Sequence, residues 1–275
     1  MFRTIRRLSH VFILALSLTV GCGSAPEGAE SSAVDQADLA RPKQHTKPAI
    51  VLVHGAWADA LGWRQVIEPL QSDGYSVTAV ENPLTSLAAD IETTKRVLDA
   101  AGQAGPLVVV GHSFGGAVIT EAAAGNASVR ALVYVNAFAP DAGETIGGLS
   151  QNFAPAPLAD ALIADTAGFY TIDTAKFRGV FCGDVSQKEA NVLAATQKPV
   201  FGGALGEVVT HAAWKTIPSY YLVGKSDHAI NPDLQRFMAA RMGARTLELD
   251  SSHVSFVSHP SVVVRLIEQA ATNVR

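Results

Sequence analysis

The chain has 275 residues, of which 48% are apolar and 17% charged, enough apolar content for a packed core and too much for a wholly disordered chain. Its net charge is −4, and residues 1–21 hold Arg3, Arg6 and Arg7 but no acid, so a chain without them stands at −7. A protein that acidic has no electrostatic footprint for nucleic acid, and its length suits one large α/β domain or two small ones.

The chain opens on what reads as an export signal. Arg3, Arg6 and Arg7 precede a short apolar-biased run, Val11 to Val20, that is too short to cross about 30 Å of hydrocarbon comfortably. Residues 1–21 therefore read as a cleaved signal peptide. Gly21-Cys22-Gly23-Ser24 follows and resembles the lipobox of bacterial lipoproteins, with Thr19 where Leu is usual and Leu18 one step early. That resemblance implies a lipidated Cys22 and attachment to a membrane; an ordinary secreted protein and an uncleaved anchor are the alternatives. Residues 22–47 are small and polar, without helical or strand periodicity, and read as a flexible tether. Cys182 is the only other cysteine, and neither has a Cys or His nearby at metal-ligand spacing, so no zinc site is expected. Cys182 reads as a buried small hydrophobe rather than a nucleophile.

The folded domain is expected over residues 48–275. Ala49–Val53 is a continuous apolar run, and similar runs recur at Tyr75–Val80, Leu107–Val110, Ala131–Val135, Ser219–Val223 and Arg245–Leu249. Continuous rather than alternating runs suit strands buried on both faces of a parallel sheet. Helical patterns lie between them. Leu87, Ile91, Thr94 and Leu98 form one stripe behind a Thr85 or Ser86 cap, and Phe114–Ala124 is a small-residue helix stopped by Gly125-Asn126. Val263, Leu266, Ile267 and Ala270 form a last stripe behind Pro260. The alternation predicts a mostly parallel, doubly wound α/β sheet. Between Pro140 and Trp214 no convincing strand is visible. Leu158–Ala164 and a capped segment from Ser186 read as short helices, so residues 141–216 are expected to form a small helical cap over the carboxyl edge of the sheet.

The chemistry centres on Gly111-His112-Ser113-Phe114-Gly115, which follows a buried strand and opens a helix. Glycines on both sides let the strand turn sharply into the helix and project the Ser113 hydroxyl, the G-x-S-x-G elbow of a nucleophilic serine. Such a serine needs a base. Of eight histidines, His10 and His45 lie outside the domain, His54 follows the first strand, His211 sits in the cap, and His228 directly follows Asp227. His112 adjoins Ser113 in sequence, so its side chain is expected to point elsewhere, and His259 suits a capping role before Pro260. His253, in the loop after the last strand, is the expected base. Asp227, just past the penultimate strand, is the expected acid partner, with Asp250 as its rival. The backbone N–H groups of Ala56 and Phe114 would hold the oxyanion. Trp57, Phe153, Phe169 and Tyr170 are candidates to line an apolar pocket, with core packing as the alternative.

These residues resemble the α/β-hydrolase superfamily, and within it the small serine esterases that include plant methyl esterases, hydroxynitrile lyases and bacterial aryl or salicylate-type esterases. The likeness rests on Val51-Leu52-Val53-His54-Gly55-Ala56-Trp57, the Gly111–Gly116 elbow, Asp227–Pro232 with Gln235, Ser252-His253 and His259-Pro260. It spans about Ala49 to Ala270. It implies an α/β-hydrolase fold and cofactor-free cleavage of small-molecule carboxylic esters through an acyl-enzyme under a cap. The lyase members resemble this chain but carry Thr at Gly55 and Lys at Val254, so lyase chemistry is not expected. A hydrolase-fold binding protein, or a perhydrolase or amidase on the same triad, is the alternative.

Overall fold

The computed structural model describes residues 47–274. The expectations for the signal segment, Cys22 and the tether fall on residues outside these, Lys47 apart. The chain runs β1 (Ala49–Val53), α1 (Arg64–Ser72), β2 (Val77–Val80), α2 (Leu87–Gly102), β3 (Leu107–His112), α3 (Phe114–Ala122) and β4 (Val129–Val135). An excursion follows, with α4 (Ile146–Ser150), β5 (Leu162–Ala164), β6 (Phe169–Ile172), α5 (Phe177–Phe181), α6 (Gln187–Thr196) and β7 (Val200–Phe201). The chain closes through β8 (Ser219–Gly224), α7 (Pro232–Arg241), β9 (Arg245–Leu249), α8 (Ser255–Ser258) and α9 (Pro260–Thr272).

All six apolar runs are strands of one sheet, in the order β2-β1-β3-β4-β8-β9, and every pairing is parallel. β3 and β8 are buried at every position because helices cover both faces, which is why their sequences do not alternate. β9 differs. Arg-Thr-Leu-Glu-Leu is largely exposed, and its charges suit an unpaired sheet edge, with Glu248 held by Arg236 at 2.9 Å. From β1 the chain first steps outward to β2 and then back past β1 to β3. The strand order therefore reverses between β1 and β3, and the loops leaving their carboxyl ends bound the crevice where open α/β sheets place a site. Those loops are Gly55–Trp57 and Ser113.

Ser86 caps α2 by accepting from Ala89 N–H, and Ser186 caps α6 by accepting from Glu189 N–H, as the polar residues ahead of each helical stripe predict. The excursion departs from expectation. It contains a three-stranded antiparallel sheet, β5-β6-β7, besides its short helices. Leu158–Ala164, expected as a helix, is a 3-10 turn over Pro157–Ala161 that runs straight into β5. These strands are two to four residues long, too short for a period of two to register in sequence, and their pairing is set by partners distant in the chain.

The excursion is anchored where it leaves and re-enters the core. Gly143 N–H donates to Val209 O at 2.8 Å and Val209 N–H to Glu144 O at 2.9 Å, so the two connecting segments pair with each other. Arg241 on α7 grips both oxygens of Glu144 at 2.7 and 2.9 Å. Glu121 on α3 accepts from the backbone and side chains of Thr210 and His211. Burial works against its charge, but those hydrogen bonds hold its carboxyl below the usual range.

A third anchor lies at Leu84, a left-handed residue with φ 59°. Its carbonyl accepts from Phe201 N–H of β7, and its own N–H donates to Asp90 Oδ1 at 2.9 Å. Asp90 is buried and its Oδ2 has no partner among the described residues, and desolvation raises its pKa from 3.8 to about 6. A carboxyl raised on folding contributes stability below its unfolded value, and that contribution is lost as pH rises through about 6. Asp90→Asn keeps the Leu84 bond without the charge. It is expected to be more stable than wild type by about 3 kcal/mol at pH 7, the advantage vanishing below about pH 4. Thermal melts of both proteins across that range check this, and a pH-independent difference would refute it.

Candidate active site

Ser113 sits between β3 and α3 with φ 54° and ψ −123°. This sparsely populated conformation costs about 1–3 kcal/mol and persists because the surroundings dictate it. α3 must begin hard against the end of β1: a Cβ on Gly115 would lie 2.6 Å from the carbonyl oxygens of Val53 and His54. Ser113 occupies the N-cap position of α3, yet its side chain makes no capping hydrogen bond, so the hydroxyl is not spent on the helix.

His253 and Asp227 meet in the core. His253 Nδ1 lies 2.8 Å from Asp227 Oδ2, and both side chains are wholly buried. A carboxylate only accepts, so Nδ1 carries the proton and Nε2 presents a lone pair. His253 Nε2 has no hydrogen-bond partner among the described residues. The Asp227 carboxylate is surrounded by donors. Oδ1 accepts from Ala229 N–H at 2.8 Å and Ile230 N–H at 2.9 Å, while Oδ2 accepts from Gln235 Nε2 at 2.8 Å and Asn136 Nδ2 at 3.3 Å. Asp250, the rival, instead receives the Ser226 hydroxyl.

Three contributors escaped the sequence reading. Asn136, at φ 47° just past β4, bonds Asp227, the Ser252 carbonyl and the Ser255 hydroxyl at once. A lone polar residue ending an apolar strand was its only signal. Asp184 accepts from the backbone and hydroxyl of Ser252, tying the cap to the residue before His253. His112, expected to point elsewhere, sets its ring 4.6 Å from that of His253 at an interplanar angle of 53°, with Nε2 3.0 Å from the His253 carbonyl. Burial, with His253 beside it, pushes its pKa well below the usual imidazole value, so it stays neutral. His259 makes no capping bond to α9; its Nδ1 lies 2.9 Å from the Ser258 hydroxyl and 3.7 Å from Asp184.

The turn after β1 completes the site. His54 Nε2 accepts from Asn82 N–H, so its Nδ1 donates to Gly55 O at 2.8 Å, and burial lowers its pKa. Ala56 and Phe114 both line one cavity with Ser113, and neither backbone N–H is engaged among the described residues. Gly55 is pressed against the elbow. A Cβ there would lie 2.6 Å from Ser113 Cβ and 2.9 Å from His112 O. Gly55→Thr is therefore expected to displace Ser113 and lower esterase kcat/KM at least about 100-fold in a folded protein, with ester turnover and circular dichroism as the checks. Wild-type turnover in that variant would contradict the packing described.

The cavity above Ser113 has a volume of about 450 Å³. Trp57 and Phe153 line it, as expected. Phe169 and Tyr170 do not: Phe169 packs on Phe201 within the cap sheet, and Tyr170 contributes its carbonyl to Trp57 Nε1 at 2.9 Å. Alternation along β6 and the pairing with β7 direct these rings, which sequence proximity to the pocket does not reveal. Cys182 is fully buried and desolvation pushes its thiol up to about 12, as befits a packing residue.

A parallel doubly wound sheet with a serine elbow, a buried His–Asp pair and an insertion over the carboxyl edge defines a capped α/β enzyme scaffold. Residues 50–266 match the alpha/beta hydrolase family, and the chain belongs to it. Among curated relatives, an alpha/beta hydrolase of Aspergillus novofumigatus, nvfD, is 27% identical over 82% of this chain and 97% of its own. Methylesterase 2 of Arabidopsis thaliana is 28% identical over 71% of this chain and 83% of its own. Among solved structures, a pyrethroid hydrolase from Sphingobium faniae superposes with a TM-score of 0.71 at 21% identity, over 82% of this chain and 97% of its own, and so shares the fold.

Proposed function

We propose that the protein is a serine hydrolase that cleaves carboxylic esters by way of an acyl-enzyme. The observation that carries this reading is the buried His253–Asp227 pair at 2.8 Å, on loops leaving the same edge of the sheet as Ser113, with His253 Nε2 left as a bare acceptor. His253 takes the Ser113 proton as Oγ attacks the ester carbonyl, and Asp227 stabilises the resulting imidazolium. The Ala56 and Phe114 N–H groups hold the oxyanion. Collapse of the tetrahedral intermediate expels the alcohol, which takes the proton from His253. A water then attacks the Ser113 ester with His253 again as base, releasing the acid and restoring the hydroxyl. No step calls on a cofactor.

Esterase names among the relatives support the ester as substrate, and Gly55 and Val254 stand where the lyases of the resembled family carry Thr and Lys. The reading extends to location: export, with Cys22 lipidated and the enzyme attached to a membrane, rests on the charged and apolar start of the chain and on Gly21-Cys22. Full-length protein is expected to hydrolyse p-nitrophenyl butyrate with a burst of one p-nitrophenolate per site. An alkyl fluorophosphonate is expected to add one phosphonyl group, at Ser113, and to end turnover. Folded protein that neither turns over nor takes the label would overturn the proposal.

A further inference from the structure

We propose that the cavity selects uncharged esters, discriminating strongly against an ester that carries a free carboxylate, and that Gln151 is where this selectivity can be reset. The inference rests on the reading of Ser113 as an ester-cleaving nucleophile and names the substrate class of that same site. None of the residues lining the cavity is Asp, Glu, Lys, Arg or His. Ile146, Phe153, Leu158, Leu205 and Leu234 are among the apolar side chains that dominate it.

Of the polar side chains in the lining, Trp57, Ser150 and Asn231 are committed to the protein. Asn231 accepts from Asp233 N–H at 2.8 Å and donates to Ala154 O at 2.9 Å, so both ends of its amide are used. Ser150 donates its hydroxyl proton to Ile146 O at 3.0 Å. Among the described lining residues, this leaves the Ser113 hydroxyl and the exposed Gln151 amide without hydrogen bonds. Polar recognition is thus confined to the ester group itself, at Ser113 and the two backbone N–H groups beside it. A carboxylate drawn into such a cavity gives up its water and meets no cation. Asp227, buried behind His253, adds a charge of the same sign. The volume, about 450 Å³, falls in the range that encloses a drug-sized molecule, so both apolar halves of a substantial ester can be desolvated together.

The test compares p-nitrophenyl heptanoate, mono-p-nitrophenyl adipate and the methyl ester of that adipate, on full-length wild type and Gln151→Arg. These acyl chains are similar in length and differ at the far end in charge. Wild type is expected to show kcat/KM at least 100-fold higher for the heptanoate than for the adipate anion, with methylation of the anion recovering most of the loss. Gln151→Arg places a cation at an exposed position where no hydrogen bond must break, and is expected to improve the anion-to-heptanoate ratio at least tenfold. Anion and heptanoate turned over within threefold of each other by wild type would overturn the inference, as would a ratio unmoved in Gln151→Arg. Hydrolysis of p-nitrophenyl acetate, lost in Ser113→Ala, separates the two levels. If acetate is cleaved and the charge series is flat, only the selectivity fails; if no ester is cleaved, the esterase reading itself has failed.

Discussion

Ser113→Ala is expected to lower kcat on p-nitrophenyl butyrate by about 10⁶, the scale seen when a triad serine is removed elsewhere. The fold should not follow. Ser113 makes no side-chain hydrogen bond in capping α3, and alanine meets the same left-handed backbone that serine does, so the elbow carries the same strain in both proteins. Near-UV circular dichroism and the melting temperature are therefore expected to be unchanged, and KM to move by no more than a few-fold. Turnover above about one per cent of wild type would mean that another group attacks the ester. Cys182 is a poor candidate for that role, because its buried thiol titrates only near 12.

Asp227→Asn is expected to cost about 10⁴ in kcat, and the reason lies in the direction of its hydrogen bonds. Ala229 and Ile230 N–H groups donate to Oδ1, so an asparagine must turn its carbonyl oxygen to that side. Its NH₂ then occupies the position of Oδ2, facing donors from Gln235 and Asn136 and the Nδ1 of His253. His253 can accept that NH₂ only by moving its own proton to Nε2, which removes the lone pair needed to deprotonate Ser113. Gln235 and Asn136 each lose one of two acceptors, keeping only the Ile230 and Ser252 carbonyls in a buried site, so the variant is also expected to lose about 1–3 kcal/mol of stability. Kinetics across pH and chemical denaturation read the two effects separately. An asparagine variant with near-wild-type kcat would show that Asp227 does not govern the His253 tautomer.

Much of the architecture could be read along the chain because it follows from local and periodic properties. Apolar runs without alternation announce β1, β3, β4 and β8 as strands covered on both faces, and the residues that cap α2 and α6 stand where side-chain oxygens reach free N–H groups. Ser113 was legible for a similar reason, since a strand, a sharp glycine-flanked turn and a helix are contiguous in sequence. His253 and Asp227 were legible through the topology: loops leaving the carboxyl ends of adjacent parallel strands converge, so β8 and β9 bring residues 26 positions apart to 2.8 Å.

The cap resisted this logic. β5, β6 and β7 exist through pairing with one another, and a strand of two to four residues has little periodicity to display. Aromatic character alone suggests the pocket for Phe169 and Tyr170, whereas Phe169 packs on Phe201 of the cap sheet and Tyr170 meets Trp57 through its carbonyl. His112 was set aside as a sequence neighbour of Ser113, yet its ring meets His253 from across 141 residues.

The sequence by itself determined the alternation of core strands and helices and the glycine-flanked turn at Ser113, and marked His253 and Asp227 as candidate partners, because backbone geometry and hydrophobic period act over a few neighbours at a time. Tertiary structure alone decided which side chains face the cavity, how Asn136 and Gln235 orient Asp227, and why Gly55 must lack a side chain. Those outcomes depend on close approach between segments far apart in the chain, where an ångström of packing decides what fits and no local pattern records it.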